Sequence, residues 1–325
     1  EEGGQMSSFT SWGSGSGLEL KPEITAPGGN IWSTVMDSSY VEGAGKYDDY
    51  TGSYSLMSGT SMATPHMAGL AALVEQYVKS QHPQQDAAAS ADLTNHLLVS
   101  TAVPQQENSV YVSPRRQGAG LVNAAAAIST PAYIDVDGKL VGKLELGDDP
   151  AEKGVYTMTF KVHNTGKDTL YYDIQPIVLT DGTTTYTNSD NEAFLTSSET
   201  AVALSHTFTT NCKDNRVAVP AGGEQEVTVT VTLANAKEEL KNFENGAYVE
   251  GFVTLKQVAA DGGKLEDAID LGIPYLAFYG DWTEAPIIDA GFYYHELDGE
   301  TSQAQTYSNS AIVSSLEGYT NTYLG

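Results

Sequence analysis

The stretch Ser58-Gly-Thr-Ser-Met-Ala-Thr-Pro-His-Met-Ala-Gly-Leu-Ala-Ala-Leu-Val74 places a serine directly before an apolar helix. From Met67 onward, apolar side chains recur at three- and four-residue spacing, which predicts a helix with one buried face. Pro65 falls close to the first turn, where a missing backbone N–H costs little. Ser61 therefore lies at the helix N-terminus, among unpaired N–H groups and at the positive end of the helix dipole. A serine in that position is either an ordinary helix cap or a nucleophile whose oxyanion meets fixed donors.

The eight residues Gly59-Thr-Ser-Met-Ala-Thr-Pro-His66 resemble, position for position, the nucleophile motif of the subtilisin-like serine proteases. Two further strings, Lys21-Pro-Glu-Ile-Thr-Ala-Pro-Gly-Gly29 and Gln117-Gly-Ala-Gly-Leu-Val122, resemble segments of the same catalytic domain on either side of that motif. The resemblance implies that Ser61 is the catalytic nucleophile of a serine endopeptidase acting on proteins or peptides. It also implies an α/β fold, in which residues 1–132 form the C-terminal half of a subtilisin-like parallel-sheet domain.

A serine hydroxyl is a weak nucleophile at neutral pH and needs a base within hydrogen-bond reach. None of the six histidines lies in a sequence context typical of the catalytic base of that family. His66 follows Ser61 by five residues, which turns it about 140° around the helix, so we expect a buried, hydrogen-bonded structural residue there. In the family the chain order is Asp, His, an oxyanion Asn and then Ser, which implies that the first three lie upstream of this chain. The chain alone is therefore expected to be inactive, with the missing N-terminal part of the same protease as its partner.

The 325-residue chain is strongly acidic, with a formal net charge of −26 and a sequence pI near 4.3. This charge argues against a nucleic-acid partner and favours a secreted or surface-exposed bacterial protein, and no apolar run approaches the length of a membrane span. The family resemblance implies an extracellular protein of a bacterial cell envelope. Cys212 is the single cysteine, which excludes an internal disulfide, and the start at Glu1 without a Met suggests an excised piece. For Arg115 and Arg116 we expect solvent-facing side chains or hydrogen bonds to carbonyl groups. The family resemblance allows for calcium, but no ligand set can be read from the sequence, and we assign no metal or cofactor residues.

From about residue 133 the sequence pattern changes to that of β-strands, with apolar and polar residues in alternation and turns at the spacing of a β-sandwich. Strands are predicted over Tyr156–Val162, Leu170–Leu179, Val227–Leu233, Tyr248–Leu255 and Asp270–Tyr279. This part resembles the fibronectin-type-III-like module that follows the catalytic domain in large cell-envelope subtilases such as the lactocepins and the C5a peptidases. Residues 133–282 would form this sandwich, and residues 283–325 would begin a further, truncated segment.

Two other classes of protein stay open. The string Gly59-Thr-Ser-Met-Ala63 approximates the G-x-S-x-G motif of an α/β-hydrolase esterase, in which a late histidine such as His295 would have to serve as the base. The second alternative is a non-catalytic surface adhesin, whose sandwich binds a partner and whose protease part is vestigial. The coding sequence upstream, with or without Asp and His in their family motifs, would separate these classes.

Overall fold

The fold is that of a computed structural model, which describes residues 4–15, 17–35, 40–41, 46–47, 54–137, 139–187, 191, 193–243 and 245–283. Glu1–Gly280 form one unit, and Asp281–Gly325 form a second, of which only residues 281–283 are described. The predicted segment 283–325 therefore lies outside the described residues, except for its first residue.

Helices dominate the first part of the described chain and strands the second. The helices are α1 (Thr60–Gln81), α2 (Ala87–Ser100), α3 (Pro114–Gln117), α4 (Ala124–Ser129) and α5 (Ala236–Glu239), with a 3-10 turn over Lys213–Asn215. The strands are β1 (Ile31–Thr34), β2 (Tyr40–Val41), β3 (Lys46–Tyr47), β4 (Tyr54–Met57), β5 (Gln106–Glu107), β6 (Val110–Tyr111), β7 (Ala132–Asp135), β8 (Leu144–Asp149), β9 (Val155–Asn164), β10 (Leu170–Thr187), β11 (Ala193–Ala203), β12 (His206–Thr210), β13 (Arg216–Val219), β14 (Glu224–Leu233), β15 (Ala247–Val258) and β16 (Leu271–Tyr279). This order confirms the predicted fold class, an α/β segment followed by an all-β sandwich.

The helical segment is held together by a small apolar cluster. Helix α1 has the predicted apolar face, but of its 22 residues only Val74 and Val78 are fully buried. They belong to a cluster that includes Leu97 of α2 and Ala127 of α4. Helix α2 begins at Ala87, because the Asp86 side chain caps it by accepting a hydrogen bond from a first-turn N–H. Much of the surface of α1 is thus left without cover from the described residues.

The sandwich consists of two sheets packed face to face. One sheet has the strand order β11-β10-β15-β16-β8, with β13 also paired to β10, and the other has the order β12-β14-β9-β7. Along β9 and β14, buried residues alternate with more exposed ones, as the sequence predicts. Their inward side chains, such as Phe160 and Val229, pack against residues of the other sheet such as Ile273.

Strand β16 is buried at all nine of its residues, although a strand with one solvated face would alternate. One of its faces lies on the sandwich core, and α2 and α3 of the helical segment contact the strand as well. The same two parts are joined at β7, where Ser100 of α2 accepts a hydrogen bond from the Ile134 N–H at 2.8 Å. The helical segment and the sandwich therefore share a packed interface.

The expectation of solvent-facing or carbonyl-bound side chains for Arg115 and Arg116 is wrong. Both side chains are buried, and their guanidinium carbons lie 5.7 and 5.6 Å from the ring centre of Trp12. Arg115 pairs with Glu250 of β15, and Arg116 pairs with Glu107 at 3.3 Å. Buried cations require partner charges, and Glu250 is so distant in sequence that the local pattern around the arginines does not reveal it.

Candidate active site

Ser61 is the second residue of α1, which begins at Thr60 with Gly59 at the N-cap position. Its side chain is exposed, and β4 ends four residues earlier, at Met57. The first N–H groups of an α-helix have no intrahelical partners, so the backbone around Ser61 offers donors at the positive end of the helix dipole. The structure therefore places Ser61 at a helix N-terminus, as the sequence predicts.

Side chains supplement the backbone hydrogen bonds in the first turns of α1. Pro65 is the sixth residue and lies inside the helix, just beyond its first turn. Since proline has no N–H, the Ser61 carbonyl lacks its usual helical donor. One position earlier, the Thr64 hydroxyl donates to the Thr60 carbonyl at 3.0 Å. Ser61 thus lies at a helix start where one backbone hydrogen bond is missing and a side-chain hydrogen bond is added.

His66 forms the expected hydrogen bond, but the expectation that it is buried is wrong. Its Nδ1 lies 2.9 Å from the Met62 carbonyl oxygen one turn earlier, and the side chain is exposed. The reason is that the fully buried residues of α1, Val74 and Val78, lie farther along the helix than His66. Within the part of the chain that the structure describes, the Ser61 hydroxyl forms no hydrogen bond with a histidine ring.

The loop after residue 27 braces the start of α1. The Gly59 N–H donates to the Gly28 carbonyl at 2.9 Å, and the Asn30 N–H donates to Ser58 Oγ at 2.8 Å. A Cβ on Gly28 would come within 2.8 Å of the Gly59 carbonyl oxygen and 3.1 Å of the Ala63 side chain, so the approach requires glycine. Neither Gly28 nor Asn30 stands out as a site residue from the sequence alone, although the Pro-Gly-Gly run before Asn30 is a signal for such a close loop.

A cleft of about 390 Å³ opens beside Ser61. One wall is β1, which pairs antiparallel with β4, and the other is the exposed side of α1. Trp32 of β1 is 67% exposed and stacks on Tyr54 of β4 with ring centres 6.1 Å apart. Of the histidines that the structure describes, only His66 lines this cleft. The site thus combines an exposed hydroxyl, a helix N-terminus and an apolar wall.

Among the described residues, no group of three or more His, Cys, Asp or Glu side chains could hold a metal ion. A membrane-spanning helix is likewise not found within the described ranges, where every helix is too short or too polar to cross a bilayer.

Comparison with protein-family models assigns both parts of the chain. Residues 1–120 match the model of the subtilase family, and residues 145–276 match that of the Fn3-like domain. The chain therefore carries a subtilase segment followed by an Fn3-like domain. This result confirms the resemblance on which the sequence analysis rests.

Known proteins of similar sequence include the PII-type proteinase of Lactococcus lactis subsp. cremoris, which is 32% identical over 302 residues. The match covers 88% of this chain and 14% of that proteinase. The C5a peptidase of Streptococcus pyogenes is 30% identical over 311 residues, or 92% of this chain and 23% of the peptidase. The chain thus spans less than a quarter of the length of these relatives. Among solved structures, the ASH/PapD-like domain of human CEP192 covers 49% of this chain at 12% identity, but its TM-score of 0.26 is too low to support an argument.

Proposed function

We propose that this chain is the nucleophile-bearing part of a subtilisin-like serine endopeptidase and that Ser61 attacks the peptide bond. The observation that carries the proposal is the exposed hydroxyl of Ser61, at a helix N-terminus and beside a cleft, within the motif Gly59–His66. The similar proteins named proteinase and peptidase support the same reaction class. As extracellular enzymes of a bacterial cell envelope, such proteases would act on proteins or peptides.

In the proposed reaction, Ser61 Oγ attacks the carbonyl carbon while a histidine base takes the hydroxyl proton. The carbonyl oxygen becomes an oxyanion, which the N–H of Ser61 and an asparagine side chain stabilise. Collapse of the tetrahedral intermediate breaks the C–N bond, releases the amine and leaves an acyl-enzyme, which water hydrolyses. We assign the base, its aspartate and the asparagine to chain upstream of residue 1.

The surface around Ser61 suits contact with that upstream portion. Leu73 of α1 is 61% exposed, and Trp32, Tyr54 and Leu56 of the β1–β4 pair are exposed as well. Exposed apolar area of this kind is normally buried against further structure. The missing part of the catalytic domain would cover it, and its absence would leave Ser61 without a base.

A fluorophosphonate probe tests the proposal, because it reacts only with an activated serine. We expect no labelling of the 325-residue chain and stoichiometric labelling of a protease extended upstream through its Asp, His and Asn motifs. In the extended protein, Ser61→Ala should abolish labelling and lower peptidase activity by at least about 10³-fold. Ser80→Ala, which alters an exposed serine near the other end of α1, should leave labelling intact.

Two outcomes would overturn the proposal. Labelling at Ser61 in the 325-residue chain would place a base within it and favour the α/β-hydrolase alternative. An extended, folded protein that is not labelled would favour the non-catalytic adhesin.

A further inference from the structure

The Arg115 side chain lies in a buried cluster of charges between the subtilase segment and the Fn3-like domain. Its Nε donates to Glu250 Oε2 at 3.0 Å, its Nη2 donates to Glu250 Oε1 at 3.1 Å, and Nη2 also donates to Asp181. The guanidinium lies 3.7 Å from the ring centre of Tyr248. Arg115 belongs to α3, whereas its three partners belong to strands β10 and β15 of the sandwich. The Arg115 side chain thus connects the subtilase segment to the Fn3-like domain.

The geometry of this cluster is strict. Glu250 is fully buried, and a two-pronged arginine–carboxylate pair fixes both distance and orientation. Burial lowers the pKa of Arg115, but Glu250 and Asp181 outweigh this effect and raise it, so the side chain stays cationic. Lysine offers neither the planar fork nor the stacking surface, so it cannot replace arginine here.

The backbone that follows Arg115 is hydrogen-bonded to the extended residues 23–25. The Gln117 carbonyl accepts a hydrogen bond from the Thr25 hydroxyl at 2.9 Å, and the Ala119 N–H donates to the Glu23 carbonyl at 2.9 Å. The Thr25 N–H donates to the Gly120 carbonyl at 2.9 Å. These bonds place residues 23–25 relative to α3, and hence relative to the sandwich.

Thr25 is three residues before Gly28, which belongs to the loop that supports the helix start at Ser61. Gly28 accepts the Gly59 N–H, as described above, and Gly59 precedes Ser61 by two residues. A continuous series of hydrogen bonds and short chain segments therefore runs from the buried carboxylate of Glu250 to the start of α1.

We propose that Arg115 is a positioning residue for Ser61, and that the Fn3-like domain fixes the nucleophile through it. The inference rests on the proposed role of Ser61. The sandwich is then a structural part of the active site, since Glu250 and Asp181 hold α3, and α3 holds the loop at Gly28. Loss of the Arg115–Glu250 pair should loosen this series of contacts and, with it, the start of α1.

Amide hydrogen exchange on the 325-residue chain tests the coupling without any activity. In Arg115→Lys and in Glu250→Gln we expect the Thr25 and Gly59 amides to exchange about 3- to 30-fold faster, the range for coupling through packed contacts. Amides of β9 should keep their rates. The matched control is Arg216→Lys, because Arg216 pairs with Asp173 at 2.6 Å within the sandwich and, among the described residues, forms no ion pair with the subtilase segment. Unchanged rates at Thr25 and Gly59, or an equal increase at all amides, would refute the coupling.

Kinetics on the upstream-extended protease test the consequence for Ser61. We expect kcat for a peptide substrate to fall about 3- to 30-fold in Glu250→Gln with KM unchanged, and no change in the Arg216→Lys control. If Arg115→Lys folds poorly, Glu250→Gln alone decides, because it preserves the shape of the side chain. A rise in KM with kcat unchanged would overturn the positioning role. If the extended wild-type protein is not labelled at Ser61, the proposed function fails, and the exchange measurement still decides the coupling separately.

Discussion

Gly118 lies where the backbone after α3 crosses residues 23–25. A single added methyl group at this position should strongly lower the free energy of unfolding. It has a φ of 63°, and a Cβ would come within 2.2 Å of the Glu23 carbonyl carbon. Gly222 has nearly the same φ, 61°, but no atom lies within 4 Å of its Cβ position. Both sites have a positive φ, which costs an alanine about 1–2 kcal/mol, and at Gly118 a ψ of −134°, outside the left-handed helical region, and the steric clash add to this cost.

We expect Gly222→Ala to lower the free energy of unfolding by about 1 kcal/mol. Gly118→Ala should lower it by about 3 kcal/mol or more, because the overpacking cost is added. Urea denaturation of both variants, with the midpoint and the slope compared, measures the difference. Equal losses would mean that the backbone at Gly118 moves aside at little cost.

At this scale the sequence predicted the position of Ser61 but not its surroundings. The motif is local, so Ser61 could be placed at a helix start from the residues next to it. Whether His66 is buried depends on which distant residues cover α1. The burial of Arg115 depends on its distant ion-pair partner, Glu250. A local pattern contains no information about such partners, and both expectations were wrong for that reason.

Among the elements, the extended residues 19–23 are attached to the sandwich through Glu145 of β8. Its carboxylate accepts a hydrogen bond from the Leu20 N–H at 3.0 Å and pairs with Lys143 at 3.0 Å and Lys139 at 2.5 Å. Burial raises the pKa of Glu145, but the two lysines and the Leu20 amide outweigh this effect and lower it. The ionised carboxylate is therefore favoured in the folded state relative to the unfolded state.

For an acid with a lowered folded pKa, the stabilisation is present above the unfolded pKa, near 4.3, and disappears as the pH falls through the folded value. We expect Glu145→Gln to lower the free energy of unfolding by at most about 1 kcal/mol at pH 7 and to have little effect at pH 2–3. Thermal melts across this pH range test the sign. The control is Glu238→Gln, whose exposed carboxylate pairs with Lys241 alone among the described residues, and which should change stability little at any pH. A constant loss at all pH values would assign the role of Glu145 to packing.

Strands with one buried face could be predicted from the sequence, whereas largely exposed strands could not. Strands β9 and β14 have one buried face, and their alternation allowed both to be predicted from the sequence. Strands β11 and β12 were not predicted, because this stretch is rich in Thr and Ser and largely exposed. Strand β16 was predicted, but its burial on both faces depends on the subtilase segment, which its own residues do not specify.

At the scale of the whole molecule, the two parts are predictable separately and their joint packing is not. Each part has its own sequence pattern and its own family model. The pairing of Arg115 with Glu250 joins residues 135 positions apart, and neither residue has a periodic context that points to the other. The one signal of this pairing in the sequence is Glu250, a charged residue within an apolar run of β15, because such a residue needs a partner when buried.

The Glu250 side chain should have opposite effects on stability in the full chain and in the isolated sandwich. We expect residues 131–283 to fold cooperatively when expressed alone, since the large core between the two sheets lies within them. In the full chain Glu250 pairs with Arg115, so Glu250→Gln should lower the free energy of unfolding of the subtilase segment by about 1–2 kcal/mol, the range for coupling through packed contacts.

In the isolated sandwich Arg115 is absent, and Glu250 then faces Asp181, which already repels it in the intact molecule. There, Glu250→Gln should be neutral or stabilising by a few tenths of a kcal/mol, because it removes a like charge. Asp173→Asn serves as the control, since its Arg216 partner is present in both proteins and its cost should be the same in both. Urea denaturation of the four variants and two parents measures the reversal. A loss of equal size for Glu250→Gln in both proteins would show that Glu250 stabilises the sandwich by itself and that the contact with Arg115 contributes little.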